Sequence, residues 1–195
     1  MRVFVLTRHA ESLLNHERRV NGDPTMMVGL TELGHEQASA LGAQLVHFPF
    51  DVCVHTRFPR TRLTAELALT GRDVPLLEEP LLDDIDIGDL EGAPIEDYRA
   101  WRRAHDRDTP FPGGESPNDA ARRYADAYRR ILESSYRRVL IVMHEIPLRY
   151  ALNAASGSHE LDGPTRNIEN TVPFVLGEAA LARAATGIDR LAEAR

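Results

Sequence analysis

The run Val139-Leu140-Ile141-Val142-Met143 constrains this chain most. It is too short for a buried helix and apolar on every side chain, which is the pattern of a strand covered on both faces. Val3-Phe4-Val5-Leu6 repeats it near the start, and Asp51 to Val54 and Val172 to Leu176 give two weaker copies. Strands of this kind need helices on both sides, so the segments between them should be helical.

They read that way. Leu30-Thr31-Glu32 opens a helix through about Val46, with Thr31 as N-cap and Ala38, Leu41 and Leu45 as an apolar stripe. A helix follows from Pro59 to about Leu69, with Leu63 and Leu67 on one face. Ser116-Pro117-Asn118-Asp119 is a helix start, and that helix runs to about Ser134 with Tyr124, Tyr128 and Ile131 inward. Pro147 opens another. Residues 71–116 are rich in Gly, Pro and Asp and are expected to form cover loops with one short helix near Ile95 to Ala104. The fold class is therefore α/β: a single domain over residues 1–195, three layers α/β/α, with a mostly parallel central sheet.

Composition removes several functions. The net charge is −7, against a generic nucleic-acid or anionic-membrane binder. Every basic residue is Arg, so no Schiff-base or Walker-type lysine exists, and each cation is a planar fork suited to phosphate or carboxylate. The one cysteine, Cys53, lies in an apolar run and reads as core in a reducing compartment, so a cytoplasmic location is expected. No segment has the length of an apolar membrane span or a signal h-region. G-x-S-x-G, C-x-x-C and G-x-G-x-x-G are absent, and His144-Glu145 fails as a zinc motif because position 148 is Leu.

Ligands of parallel sheets bind beyond the carboxyl ends of the strands. Thr7-Arg8-His9 follows the first strand, His55 to Arg62 the second, and His144-Glu145 the Val139–Met143 strand. Arg8, Arg60, His9, His144 and the Asn15 amide can meet there as a donor-rich pocket for a phosphoryl group. A neutral imidazole can attack phosphorus.

Leu6-Thr7-Arg8-His9-Ala10-Glu11-Ser12 with Asn15 resembles the L-x-R-H-G-E-S/T-x-x-N signature of the histidine phosphatase superfamily, also called phosphoglycerate-mutase-like. Leu30-Thr31-Glu32-Leu33-Gly34 with Gln37-Ala38, Pro59 to Ala65, Leu82 to Gly92, Pro112-Gly113-Gly114-Glu115-Ser116 and Val142-Met143-His144 are similar to later motifs of that family, in family order. The resemblance implies that His9 is a nucleophile forming a phosphohistidine, that Arg8, Arg60 and His144 clamp the phosphoryl oxygens with Asn15 as a lesser contact, and that Asp84 is the proton donor. It implies no metal and no cofactor.

Three positions depart from the pattern. Ala10 stands for Gly, which a methyl group tolerates unless φ is positive. Asp84 stands for Glu and is one methylene shorter. Glu145 stands for Gly after the second histidine, and three readings are open. It turns away and pairs with Arg149; it is the general acid, by analogy with the family's acid-phosphatase branch; or it contacts substrate. Of the neighbours, Arg57, Arg62, Arg102 and Arg103 read as surface charges, Trp101 as packing, His55 as an open substrate contact, and Glu115 and Ser116 as serving a helix cap. The expected activity is phosphomonoester hydrolysis of a small phosphorylated metabolite, with mutase chemistry and a weakened phosphate-binding module as alternatives. No nucleic-acid or membrane partner is expected, and a homodimer is open.

Overall fold

In the computed structural model, which describes residues 1–193, five strands form one sheet in the order β3-β2-β4-β1-β5. The elements are β1 (Val3–Arg8), α1 (Leu13–His16), α2 (Glu32–Gln44), β2 (Val52–His55), α3 (Pro59–Ala68), β3 (Leu76–Glu78), α4 (Ile95–Ala104), α5 (Pro117–Glu133), β4 (Arg138–Met143), α6 (Glu145–Ala155), β5 (Pro173–Gly177) and α7 (Glu178–Glu193). Short 3₁₀ turns occupy Pro80–Leu82 and Gly88–Leu90. β1, β2, β3 and β4 run parallel; β5 closes one edge antiparallel to β1. The chain forms a single α/β domain, as expected, with the sheet mostly parallel.

Alternation along the strands sorts the core into two layers. Phe4, Leu6, Val52, Val54, Val139, Ile141 and Met143 pack with Tyr124, Tyr128, Leu148 and Leu181 on the α5, α6 and α7 side. Val5, Cys53, Leu140 and Val142 pack with Ala65 and Leu69 on the α3 side. Cys53 is core, as expected, and burial pushes its thiol pKa up.

Helix starts follow their caps. Thr31 Oγ1 accepts from Gly34 N at 3.0 Å, and Ser116 Oγ accepts from Asp119 N at 3.0 Å. Tyr124, Tyr128 and Ile131 are buried, as their spacing requires.

Several expectations need correction. α6 starts at Glu145, capped by His144, and not at Pro147; proline fits the first turn because its missing N–H had no partner there. β3 was hidden in the cover segment, as three residues between two prolines. α7 carries a weak sequence signal because its buried face is mostly alanine: Leu181, Ala184, Ala185, Ile188 and Ala192. The most buried face of α3 is not Leu63 and Leu67, which are only partly buried, but Arg60, Thr61, Thr64, Ala65 and Ala68. A helix that buries an arginine and two threonines is built for something other than packing.

Candidate active site

The carboxyl ends of β1, β2 and β4 lie side by side, and the residues that follow them wall a cleft of about 280 Å³. Arg8, His9, Asn15, Arg60, Asp84 and Glu145 all line it. Val20, Ile85, Ile87, Ile95, Tyr98 and Ile146 form its apolar side. The cover helix α4 is fixed over this side by stacking of Tyr98 and Trp101 on Phe111, with centroids 5.5 and 4.0 Å away. Trp101 is thus packing, as expected.

His9 follows β1 with its backbone carbonyl bound by Asn170 Nδ2 at 2.5 Å and its N–H donating to Met143 O at 2.8 Å. Its ring Nδ1 lies 2.7 Å from the carbonyl oxygen of Ala10. A carbonyl only accepts, so Nδ1 carries the hydrogen and Nε2 keeps its lone pair. Nε2 accepts from Arg60 Nε at 3.1 Å. Burial, then the charges of Arg60 and Arg8, hold the His9 pKa well below the ordinary histidine range. The imidazole is therefore neutral at pH 7, and its unprotonated Nε2 is held on Arg60, which lines the cleft with it. Ala10 takes no positive φ, its methyl is fully buried, and its N–H donates to Thr64 Oγ1 at 3.0 Å. The Gly-to-Ala departure costs no backbone strain.

Arg60 is the hub. It is 3% exposed, lies over the Phe58 ring at 4.2 Å, and donates through Nη2 to Asn21 O at 3.1 Å and Asp84 Oδ2 at 3.3 Å. Nη1 reaches Asn21 Oδ1. Nη2 also lies 3.0 Å from His144 Nδ1, which must then be unprotonated. His144 Nε2 bonds the hydroxyl of Thr56 at 2.9 Å. Burial and Arg60 hold the His144 pKa well down too, and burial lowers the Arg60 pKa to about 10. His144 is fully buried behind Arg60 and does not line the cleft in this state.

The carboxylates differ in setting. Asp84 lies 3.5 Å from His144 Nδ1, and its pKa is raised, with burial the main cause and Arg60 opposing. Glu145 lies between two guanidiniums: Arg149 Nη1 at 3.0 Å on its own helix and Arg8 Nη1 at 3.3 Å. Glu145 therefore makes the expected i, i+4 pair, yet stays in the cleft wall. Arg8 also donates to Ile168 O at 2.7 Å, while its buried Nε has no partner. Asn15 spends its amide oxygen on Ser12 N in a capping box, leaving its NH₂ for the cleft.

The remaining candidates fall outside the cleft. His55 is buried with Nδ1 donating to Thr56 O at 2.8 Å; the hydroxyl at the strand end belongs to Thr56, one residue on. Arg57 pairs with Asp83 at 2.5 Å, and Arg62 with Glu66 at 2.8 Å on the outer face of α3. Arg103 is exposed, but Arg102 is not a solvated charge: it lies 3.5 Å from Asp162, which also binds Arg107 and Arg149. Ser116 serves the helix cap, as expected; Glu115 instead pairs with Arg123. Asn21, Thr56 and Asn170 position the site and were not anticipated. Glu91 holds the Asn21 loop, accepting from Gly22 N at 2.6 Å and Asp23 N at 2.9 Å. Among the described residues there is no cluster of three or more His, Cys, Asp or Glu able to hold a metal, and no helix long and apolar enough to cross a membrane.

A sequence profile of the histidine phosphatase superfamily (branch 1) matches residues 4–177. A 2,3-bisphosphoglycerate-dependent phosphoglycerate mutase of Methylobacterium sp. (strain 4-46) is 34% identical over 193 residues, spanning 89% of this chain and 90% of that one. The alpha-ribazole phosphatase of Shigella flexneri superposes with a TM-score of 0.71 at 28% identity, over 80% of each chain. A mycobacterial glucosyl-3-phosphoglycerate phosphatase superposes with a TM-score of 0.65 at 26% identity, over 79% of this chain and 78% of that one.

Proposed function

Because the chain belongs to the histidine phosphatase superfamily, we propose that it is a phosphomonoesterase that hydrolyses a small phosphorylated metabolite through a phosphohistidine, without a metal. The observation that carries this reading is the His9 tautomer. Nδ1–H is held by the Ala10 carbonyl, and the unprotonated Nε2 is held on Arg60, which lines the cleft with Arg8 and His9.

Arg60 spends its Nε–H and one Nη2–H on the two imidazoles. A phosphoryl group competes for both donors. As Arg60 turns to the phosphoryl oxygens it frees Nε2 of His9 to attack. It also uncovers Nδ1 of neutral His144, which accepts a hydrogen bond from the protonated oxygen of a monoanionic ester. The N–P bond forms, the P–O bond to the leaving alcohol breaks, and Asp84 in its protonated form supplies the alcohol's proton. Cations already in the cleft wall meet the transition-state charge. The Asp84 carboxylate then takes a proton from water, which attacks phosphorus and returns His9 and inorganic phosphate. Glu145, held by two arginines, is poorly placed to be that acid. Its reading as proton donor also borrows from the other branch of the superfamily, whereas the profile match is to branch 1.

The lone buried thiol fits a cytoplasmic enzyme. A mutase reading, in which the phosphohistidine returns its group to a second oxygen of the substrate, is favoured by the 34% identity to a mutase.

Phosphate release from a metabolite panel, with and without chelator, tests the proposal. Release that resists chelation and disappears in His9→Ala supports it. An isomerised product without net phosphate supports the mutase, and phosphate binding without turnover supports a binding module.

A further inference from the structure

Asp84 is one methylene shorter than the glutamate usual in this family, so it has one torsion fewer with which to correct its reach. Its distance to the cleft is set by the backbone of residues 81–86, and that backbone is held from outside the cleft. Arg123, on α5, donates through Nη1 to Leu81 O at 2.9 Å and Asp83 O at 3.0 Å, and through Nη2 to Asp84 O at 3.3 Å. The same guanidinium grips Glu115 with two bonds, Nη2 to Oε1 at 2.5 Å and Nε to Oε2 at 3.3 Å. Glu115 in turn accepts from Asp86 N at 3.0 Å through Oε1, and its own N–H donates to Asp86 O at 3.0 Å. Gly88, with φ of +51°, lets this loop lie against residues 112–114; a Cβ there would overlap the Pro112 carbonyl. Arg123 does not line the cleft.

We propose that Arg123, locked by Glu115, is a positioning residue that sets the reach of the Asp84 proton donor. The inference rests on the phosphatase reading with Asp84 as acid. The pair bonds neither His9 nor the phosphoryl clamp, and its guanidinium binds the carbonyls of Leu81, Asp83 and Asp84, on the segment that carries one carboxylate. A bidentate Arg–carboxylate pair fixes orientation as well as charge.

The test separates proton donation from everything else by changing the leaving group. Nitrophenolate leaves without a proton, whereas a simple alkoxide needs one. The values of kcat/KM for p-nitrophenyl phosphate and an alkyl phosphate are measured for wild type, Asp84→Asn, Arg123→Met and Glu115→Gln, together with inhibition by inorganic phosphate. Asp84→Asn sets the full scale, a preferential loss of ~10²–10⁴-fold on the alkyl ester. Arg123→Met is expected to lower the alkyl-to-aryl ratio at least ~10-fold, with the phosphate inhibition constant little changed. Glu115→Gln keeps the shape of its side chain, so it reports even if Arg123→Met does not fold. Its ratio should fall in the same direction, by less. Adding Arg123→Met to Asp84→Asn should move the ratio no further. Equal losses on both esters, or no loss on either, overturn the inference while leaving the phosphatase reading intact. Absence of His9-dependent release in wild type overturns the reading itself.

Discussion

Glu145→Gln should make this protein bind phosphate more tightly and turn over small phosphomonoesters faster at low substrate. The carboxylate sits 3.3 Å from Arg8 and 3.0 Å from Arg149, with side-chain exposures of 27% for Glu145, 19% for Arg8 and 18% for Arg149. A phosphoryl oxygen taken by Arg8 would lie on the far side of the guanidinium, ~6 Å from the carboxylate. Two unit charges at that separation repel by about 0.7–3 kcal/mol for an effective dielectric between water and a protein surface. Substitution by the isosteric amide removes this repulsion. The expected gain is about 1–2 kcal/mol, or ~5–30-fold in the inhibition constant for inorganic phosphate and in KM. Glu145 also opens α6, and losing a charge from a helix N-terminus costs about 0.3–1 kcal/mol of stability, which a melting curve would register separately. Titration calorimetry with phosphate and initial rates on an alkyl phosphate read the effect. The competing role predicts the opposite sign, since removing a general acid lowers kcat/KM by ~10²–10⁴-fold on esters that need protonation. A large loss of turnover in Glu145→Gln would refute the assignment of Asp84 as acid.

The pH profile follows from the same assignment. The raised pKa of Asp84 keeps it protonated above the ordinary carboxyl range, so kcat/KM on alkyl esters should fall as pH rises through that pKa, and this limb should vanish in Asp84→Asn. His9 and His144 are held below their ordinary range, so neither should impose an acid limb near pH 6.5. Ala10→Gly restores the residue usual in the family, yet no positive φ needs it; removing the buried methyl should cost about 1 kcal/mol, roughly 2–4 °C in Tm, with kcat/KM unchanged.

Much of the fold and the core of the site were legible because they rest on strong, local signals. Runs such as Val139 to Met143 give the strands, and the residues just past their ends give Arg8, His9, Arg60 and His144. The failures have physical causes. His55, left open as a substrate contact, is buried with Nδ1 on Thr56 O, and Thr56, also buried, holds His144. Asn21 and Asn170 act through hydrogen bonds to partners 39 and 161 positions away, with no period or motif to mark them. Arg60 and Thr64 invert the hydrophobic pattern of α3, because the face it buries is a polar site. The α7 stripe is mostly alanine, whose contrast with polar neighbours is weak.

The strand that delivers His9 has a consequence for how the chain folds. β1 is flanked by β4 on one side and β5 on the other, so Val3 finds its partners at Arg138 and Gly177. Both neighbours lie far along the sequence, and the loops that must close to seat β1 span most of the chain. Such contacts are late in folding, because loop entropy is lost before they return anything. β1 precedes both of its partners in the chain and can be seated only once β4 exists. The cluster of Arg8, His9, Arg60 and His144 therefore cannot assemble on a product truncated before β4, which holds His9 without a cleft around it.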